Sequence, residues 1–308
     1  MKAIVLKKFG GVENLIVEEI NTPKIRDGEV LIKAKAIGIN PVDCKTRKGY
    51  GAAKRLKLPI ILGWDVSGEI VKVNKNSKFN VGDEVFGLIN FPGEGKTYAE
   101  YVAAPGEHIT VKPKNISFAE AAAIPLAALI AYQALVKEGQ IQKNSRVFIQ
   151  GAAGGVGHIA VQIAKNLGAY VIGTASTKNR EFLLNLGIDK FIDYTKENFE
   201  DIVKNVDIVL DCVGGDVGIK SINIVKDGGK IISIPSPIDE KLSILHPKVK
   251  MPWVLVQSNK KDIEHIAELI KSEKLKVHIQ KIYSFNEIGE AHTQLERGGN
   301  MGKIVIAL

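Results

Sequence analysis

A chain of 308 residues with 45% hydrophobic and 25% charged residues can build two domains with their own cores, which excludes disorder, collagen-like repetition and a disulfide framework. Its two cysteines, Cys44 and Cys212, cannot supply a four-thiolate zinc lobe, and they point to a reducing, cytoplasmic compartment. The formal charge of +8 suits anionic partners in general, but the basic residues fall in short groups such as Lys45-Thr46-Arg47-Lys48 and Asn259-Lys260-Lys261, expected to lie on a solvated surface. No run approaches the ~18 apolar residues that span a bilayer, and Met1 to Lys7 is too short an apolar opening for a signal peptide, so no membrane association is expected.

The first third reads as β structure. Val30, Ile32, Ala34 and Ala36 alternate with Leu31, Lys33 and Lys35, and the runs Gly68 to Val73 and Glu84 to Leu88 are bounded by turn residues. After Val111-Lys112-Pro113 the segment Ala119 to Ala134 is alanine-rich and helical in pattern, with a break at Pro125. Arg146 to Gln150 then reads as a buried strand. Beyond it strands and helices alternate through Tyr170 to Thr174, Lys178 to Leu186, Asp207 to Asp211 and Lys230 to Ile234, which predicts a doubly wound parallel sheet of α/β class. A helix over Ile263 to Lys271, the stretch Lys276 to Ile282 and a strand over Lys303 to Ala307 close the chain. The expected division is 1–118 with 256–308, a β-rich domain, and 119–255, the doubly wound α/β domain.

The most informative segment runs from Arg146 through Gly151-Ala152-Ala153-Gly154-Gly155-Val156-Gly157 in the order strand, glycine-rich turn, helix start. The following helix places Val156, Ile159, Ala160, Ile163, Ala164 and Leu167 on one face, and Gly168 stands where a C-terminal cap belongs. Without side chains in the turn, a pyrophosphate can reach the amides at the helix N-terminus, where the dipole favours negative charge. The dinucleotide fingerprint is one glycine short, reading Ala152, Gly154 and Gly157. The expected contacts are Ala153, Gly154, Gly155, Val156 and Gly157.

The next strand end selects the dinucleotide. An NAD site places a carboxylate about 20 positions on to bind the ribose hydroxyls. Here Ala175-Ser176-Thr177-Lys178 is followed by Arg180, and no carboxylate precedes Glu181. Ser176, Lys178 and Arg180 therefore favour a 2′-phosphate, that is NADP(H). Val213 and Ile234, at the ends of later strands, are assigned to the cofactor as well.

Three further segments, Gly38 to Asp43, Leu62 to Ile70 and Val81 to Gly87, together with the alanine-rich helix and the glycine loop, give the chain its resemblance to the medium-chain dehydrogenase/reductase superfamily. That resemblance implies a GroES-like β-rich catalytic domain joined to the Rossmann domain. Where the alcohol dehydrogenases of that superfamily carry a zinc-ligating Cys and a His-Glu pair, this chain has Asn40 and Trp64-Asp65, so no metal is expected. Its six histidines lack a ligand spacing and are expected at the surface or at caps. The run Asn40 to Lys45 and the run Asp193 to Phe199 are similar to the NADPH-dependent alkenal/enone reductases of the zinc-independent quinone oxidoreductase branch. This likeness implies Lys45 beside the nicotinamide and substrate, Tyr194 against the adenosine end, and a homodimer. Ala127 and Ile130 replace threonines often found beside the nicotinamide in quinone reductases.

The resulting expectation is hydride transfer from NADPH to a quinone or to the C=C bond of an α,β-unsaturated carbonyl, with negative charge building on the carbonyl oxygen. Lys45, Asn40 and Tyr50 form the candidate catalytic set, Lys45 for that charge and Tyr50, in competition with solvent, for the proton. Cys44 reads as a small buried filler. One-electron, semiquinone-forming reduction, NADPH sensing without turnover, and RNA binding on the same fold stand as alternatives. Nucleic acid is the least expected of these, because no basic platform is interleaved with aromatics.

Overall fold

A computed structural model describes residues 1–75 and 77–308. In its first part the strands are β1 (Lys2–Leu6), β2 (Leu15–Glu19), β3 (Glu29–Ile39), β4 (Ile60–Ile61), β5 (Asp65–Val73), β6 (Glu84–Leu88), β7 (Tyr101–Pro105) and β8 (Ile109–Val111). Helix α1 (Pro41–Arg47) follows β3, and α2 (Phe118–Ala123) and α3 (Pro125–Tyr132) meet at Pro125. Pro125 starts a helix there, where its missing N–H costs nothing. The middle of the chain alternates: β9 (Arg146–Ile149), α4 (Gly157–Asn166), β10 (Tyr170–Ala175), α5 (Arg180–Asn185), β11 (Lys190–Asp193), α6 (Phe199–Ile202), β12 (Val206–Asp211), α7 (Gly215–Lys220), β13 (Val225–Ser233) and α8 (Glu240–Leu245). The last elements are α9 (Lys260–Lys271), β14 (Ile279–Ser284), α10 (Ile288–Glu296) and β15 (Lys303–Ala307).

Two compact units result. One comprises Met1–Leu129, Gln257–Glu273 and Val277–Leu308, the other Ile130–Val256 with Lys274–Lys276. In the first unit β3 is the central strand, antiparallel to β15 along its C-terminal half, to β7 along its N-terminal half, and to β5 along nearly its whole length. Its alternation predicts one apolar face, yet both faces are buried over most of its length. The reason is packing on either side: Ile32 and Ala34 enter one core with Val66, Val85 and Ile109, while Ile37 and Ile39 enter another with Ile4, Leu62, Tyr98 and Ile306. Helix α2 closes the sheet, seating Ala122 and Ala123 on Ala36 and Val305.

The second unit is a five-stranded parallel sheet in the order β11-β10-β9-β12-β13. Phe148, Ile172, Ile192, Val209 and Ile231 fill its core. The strand order reverses direction at β9, so the loops after β9, β10 and β12 open onto the crevice that in such sheets receives ligands. No helix among the described residues is long and apolar enough to cross a membrane.

Candidate active site

The predicted cofactor residues of the second unit all lie at the C-terminal ends of its strands. After β9 the loop turns through Gly151, and the Gly154 amide donates to the Gly151 carbonyl at 2.9 Å. Gly157 must lack a side chain, because a Cβ there would stand 2.7 Å from Ala152 Cα and collide with the Gly151 carbonyl. Ala152 in the first glycine place is buried, and the room for its methyl comes from β10: a Cβ on Gly173 would stand 2.7 Å from Ala152 Cβ. The missing glycine of the fingerprint has in effect moved to the neighbouring strand. The amides of Ala153, Gly155 and Val156 donate to no group among the described residues and stand at the N-terminus of α4, where the helix dipole favours negative charge.

His158 holds this loop from below. It is fully buried on α4, and its Nδ1 donates to the Gly154 carbonyl at 2.8 Å, the direction being fixed because a carbonyl only accepts. The expectation of surface or capping histidines is corrected at this position: the residue faces the loop one turn back along the helix, a role that ligand spacing does not reveal.

At the end of β10, Ser176 is half-buried and Lys178 and Arg180 are exposed. Arg180 forms a 3.2 Å pair with Glu181 in which both side chains are more than half exposed, a contact of small energy. Tyr194 follows β11 at 59% exposure, its amide donating to the Ala175 carbonyl. Asp193 is the carboxylate of this edge that local sequence missed, since it arrives from the adjacent strand. Hydroxyl hydrogen bonds from Thr177 and Thr195 hold it below the usual carboxylate range and occupy both of its oxygens. Val213 lies exposed beside Gly151, and the Ile234 amide donates to the Asp211 carbonyl.

In the first unit the candidate catalytic residues separate. Lys45 is exposed on α1 and forms no ion pair among the described residues, and its carbonyl accepts from the Tyr50 amide at 2.8 Å. Tyr50 is 70% exposed. Asn40 is instead buried as the N-cap of α1, its Nδ2 donating to Asp65 at 2.8 Å and its Oδ1 accepting from the Lys303 ammonium. Cys44 is buried, and burial raises its thiol pKa.

Beneath α1 lies a polar network that the sequence reading did not find. Arg47, expected in a solvated basic run, is 1% exposed and binds the Gly10 carbonyl and Glu296 at 2.6 Å each. Its Nε donates to His292 Nδ1, so the neutral imidazole carries its proton on Nε2 and donates it to the Tyr98 hydroxyl at 2.9 Å. His292 is another buried histidine where a surface one was expected; burial, then Arg47, push its pKa down to about 3. The Tyr98 hydroxyl bears in turn on Asp43, whose pKa burial raises to about 8. Asp65, raised by burial to about 6 against the pull of Lys303, accepts the Leu126 amide at 2.8 Å.

Residues 26–114 match the family described as alcohol dehydrogenase GroES-like domain, and residues 186–306 match zinc-binding dehydrogenase. A 2-methylene-furan-3-one reductase of Solanum lycopersicum is 37% identical over 99% of the chain and 79% of its own length. The chloroplastic NADPH-dependent alkenal/one oxidoreductase of Arabidopsis thaliana is 35% identical with the same coverage. The solved quinone oxidoreductase from Coxiella burnetii superposes with a TM-score of 0.95 at 38% identity, covering 100% of this chain and 99% of that one. The chain belongs to the medium-chain dehydrogenase/reductase superfamily, in its quinone/enone oxidoreductase branch.

The zinc in one family description does not fit the residues present. Asn40 and Trp64 offer neither thiolate nor imidazole. The Trp64 indole donates to the Gly93 carbonyl at 2.7 Å, and the one carboxylate, Asp65, faces the Lys303 ammonium at 3.8 Å. Among the described residues no group of three or more His, Cys, Asp or Glu side chains could hold a metal ion.

Proposed function

We propose that the protein is an NADPH-dependent oxidoreductase that reduces quinones or the C=C bond of α,β-unsaturated ketones and aldehydes without zinc. The observation that carries the cofactor assignment is the strand edge where Ser176, Lys178, Arg180 and Tyr194 gather beside the glycine loop, while Asp193 has both oxygens bound by hydroxyls. The free amides of Ala153, Gly155 and Val156 take the pyrophosphate, the basic pair takes the 2′-phosphate, and Tyr194 flanks the adenosine. When bound, NADPH supplies the hydride. Lys45 stabilises the negative charge that reaches the substrate oxygen, Tyr50 or solvent delivers the proton, and Asn40 fixes the start of the helix that carries Lys45. The relatives' names supply the substrate classes, and the two free cysteines support a cytoplasmic setting. The homodimer would form through the edge of the parallel sheet, where Lys250 and Trp253 extend it beyond β13.

The test is an NADPH-oxidation screen over small enones, alkenals and quinones with wild type and Lys45→Ala. Turnover that falls by about 100-fold or more in the variant supports the reading, in line with loss of one charge-stabilising donor. Unchanged kcat and KM on every substrate would remove Lys45 from the site, and no turnover on any substrate would remove the enzymatic reading.

A further inference from the structure

Lys303 begins β15 at 4% exposure. Burial lowers its pKa, opposed by the neighbouring carboxylates Asp65 and Asp43. Its Nζ donates to the Ile39 carbonyl at 3.1 Å and to Asn40 Oδ1, and lies 3.8 Å from Asp65 Oδ2. Each partner belongs to a different segment: Ile39 ends β3, Asn40 caps α1, and Asp65 begins β5. Asp65 then spends its two oxygens in opposite directions, Oδ2 on the Asn40 amide group and Oδ1 on the Leu126 amide in the first turn of α3. Burying an ammonium costs several kcal/mol unless oxygens surround it, and a chain needing only packing would meet that position with an apolar residue. What the ammonium adds is a fixed relation between the start of α1, which carries Lys45, and the start of α3, which carries Ala127.

We propose that Lys303 is a positioning residue for hydride transfer: through Asn40 and Asp65 its ammonium locks the start of α1 against the start of α3 and so holds Lys45 in register. This rests on the reading of Lys45 given above. The residue itself touches neither substrate nor cofactor, so its removal acts on the rate of chemistry rather than on cofactor affinity. A misplacement of about 1 Å can cost on the order of 100-fold.

The experiment compares Lys303→Met, Lys303→Arg and Asp65→Asn, each alone and combined with Lys45→Ala, by steady-state kinetics, NADPH fluorescence titration and hydrogen exchange at the Leu126 amide. Expected are a kcat lower by about 10- to 100-fold in Lys303→Met and Asp65→Asn, an unchanged Kd for NADPH, faster exchange at Leu126, partial rescue by Lys303→Arg, and no further loss of kcat when Lys45 is already alanine. Wild-type kcat in folded Lys303→Met, or losses that multiply in the double variants, would overturn the proposal and reduce Lys303 to a stability element. If Lys303→Met does not fold, Lys303→Arg and Asp65→Asn carry the same comparison. A neutral Lys45→Ala overturns the Lys45 reading and this proposal with it, whereas a lower kcat in Lys45→Ala beside wild-type kcat in folded Lys303→Met overturns the proposal alone.

Discussion

At the scale of single residues, the glycine loop was legible because its constraint is local. Gly157 is required by two atoms only five and six positions earlier, the Ala152 Cα and the Gly151 carbonyl, and a motif records such spacing. Gly157→Ala is expected to cost about 1–3 kcal/mol and to abolish measurable NADPH binding, whereas Gly154→Ala, whose Cβ would meet only the Gly151 carbonyl at 3.2 Å, should leave the fold intact. Thermal unfolding and NADPH titration of both variants check this; equal melting of the two would contradict it. Asp43 was legible as a motif letter but not as a buried acid. It keeps its proton up to about pH 8 in the fold, while an unhindered aspartate ionises near 3.8. Over that interval the unfolded chain binds fewer protons than the folded one, so Asp43 makes stability fall as the pH rises from about 4 to about 8. Asp65, raised to about 6, acts in the same direction over the lower part of the range, while Lys303 faces both carboxylates. Asp43→Asn keeps a neutral group of the same shape in place of the protonated acid, with an oxygen still able to accept the Asn40 amide that Oδ2 now accepts at 2.7 Å. Its unfolding midpoint relative to wild type should therefore rise between the acidic and basic ends of that range, and a constant difference would show that Asp43 does not titrate there.

At the scale of elements, helix periodicity explains the misread basic run. Lys45-Thr46-Arg47-Lys48 is uniform in sequence, but α1 turns Asp43, Cys44 and Arg47 inward and leaves Lys45 and Lys48 outside. Seven helical residues give too short a period to separate the faces without knowing what packs beneath. The segment from Phe91 to Thr97, whose packing composition alone could not give, is tied down by Trp64 and by Asn90, whose Nδ2 donates to the Glu94 carbonyl at 3.2 Å. Trp64 donates its indole N–H to Gly93, its ring meets Phe91 edge-on at 5.4 Å, and the Thr97 amide returns to the Gly63 carbonyl. Trp64→Phe keeps the aromatic contact and removes the donor, at a cost of about 1 kcal/mol. If this loop shapes substrate binding, KM for bulky enones should rise several-fold while NADPH affinity stays at the wild-type value. A shift in NADPH affinity of the same size would place the effect elsewhere.

At the scale of the whole molecule, the parallel sheet was readable from the alternation of strands and helices, but the network under α1 was not. Arg47 and His292 are 245 positions apart, and Lys303 and Asn40 263, so no spacing rule links them. The same limit hid the meaning of the charge. Of the +8 formal excess, Lys303 is buried against carboxylates and Lys112 lies 3.1 Å from Glu84, while Lys178 and Arg180 stand exposed after β10, at the edge proposed for the cofactor. A basic molecule draws in NADPH, with its additional phosphate, more strongly than NADH, and salt weakens that attraction because the screening length falls below about 10 Å above 0.1 M. KM for NADPH should therefore climb with ionic strength more steeply than KM for NADH. In Lys178→Ala/Arg180→Ala the value for NADPH at low salt should be at least about tenfold higher, the loss expected from removing charged hydrogen bonds, and its dependence on salt should flatten toward that of NADH, whose own KM hardly moves. A salt slope that survives the double substitution would assign the attraction to the general surface charge, and equal losses for both cofactors would take the 2′-phosphate away from this edge.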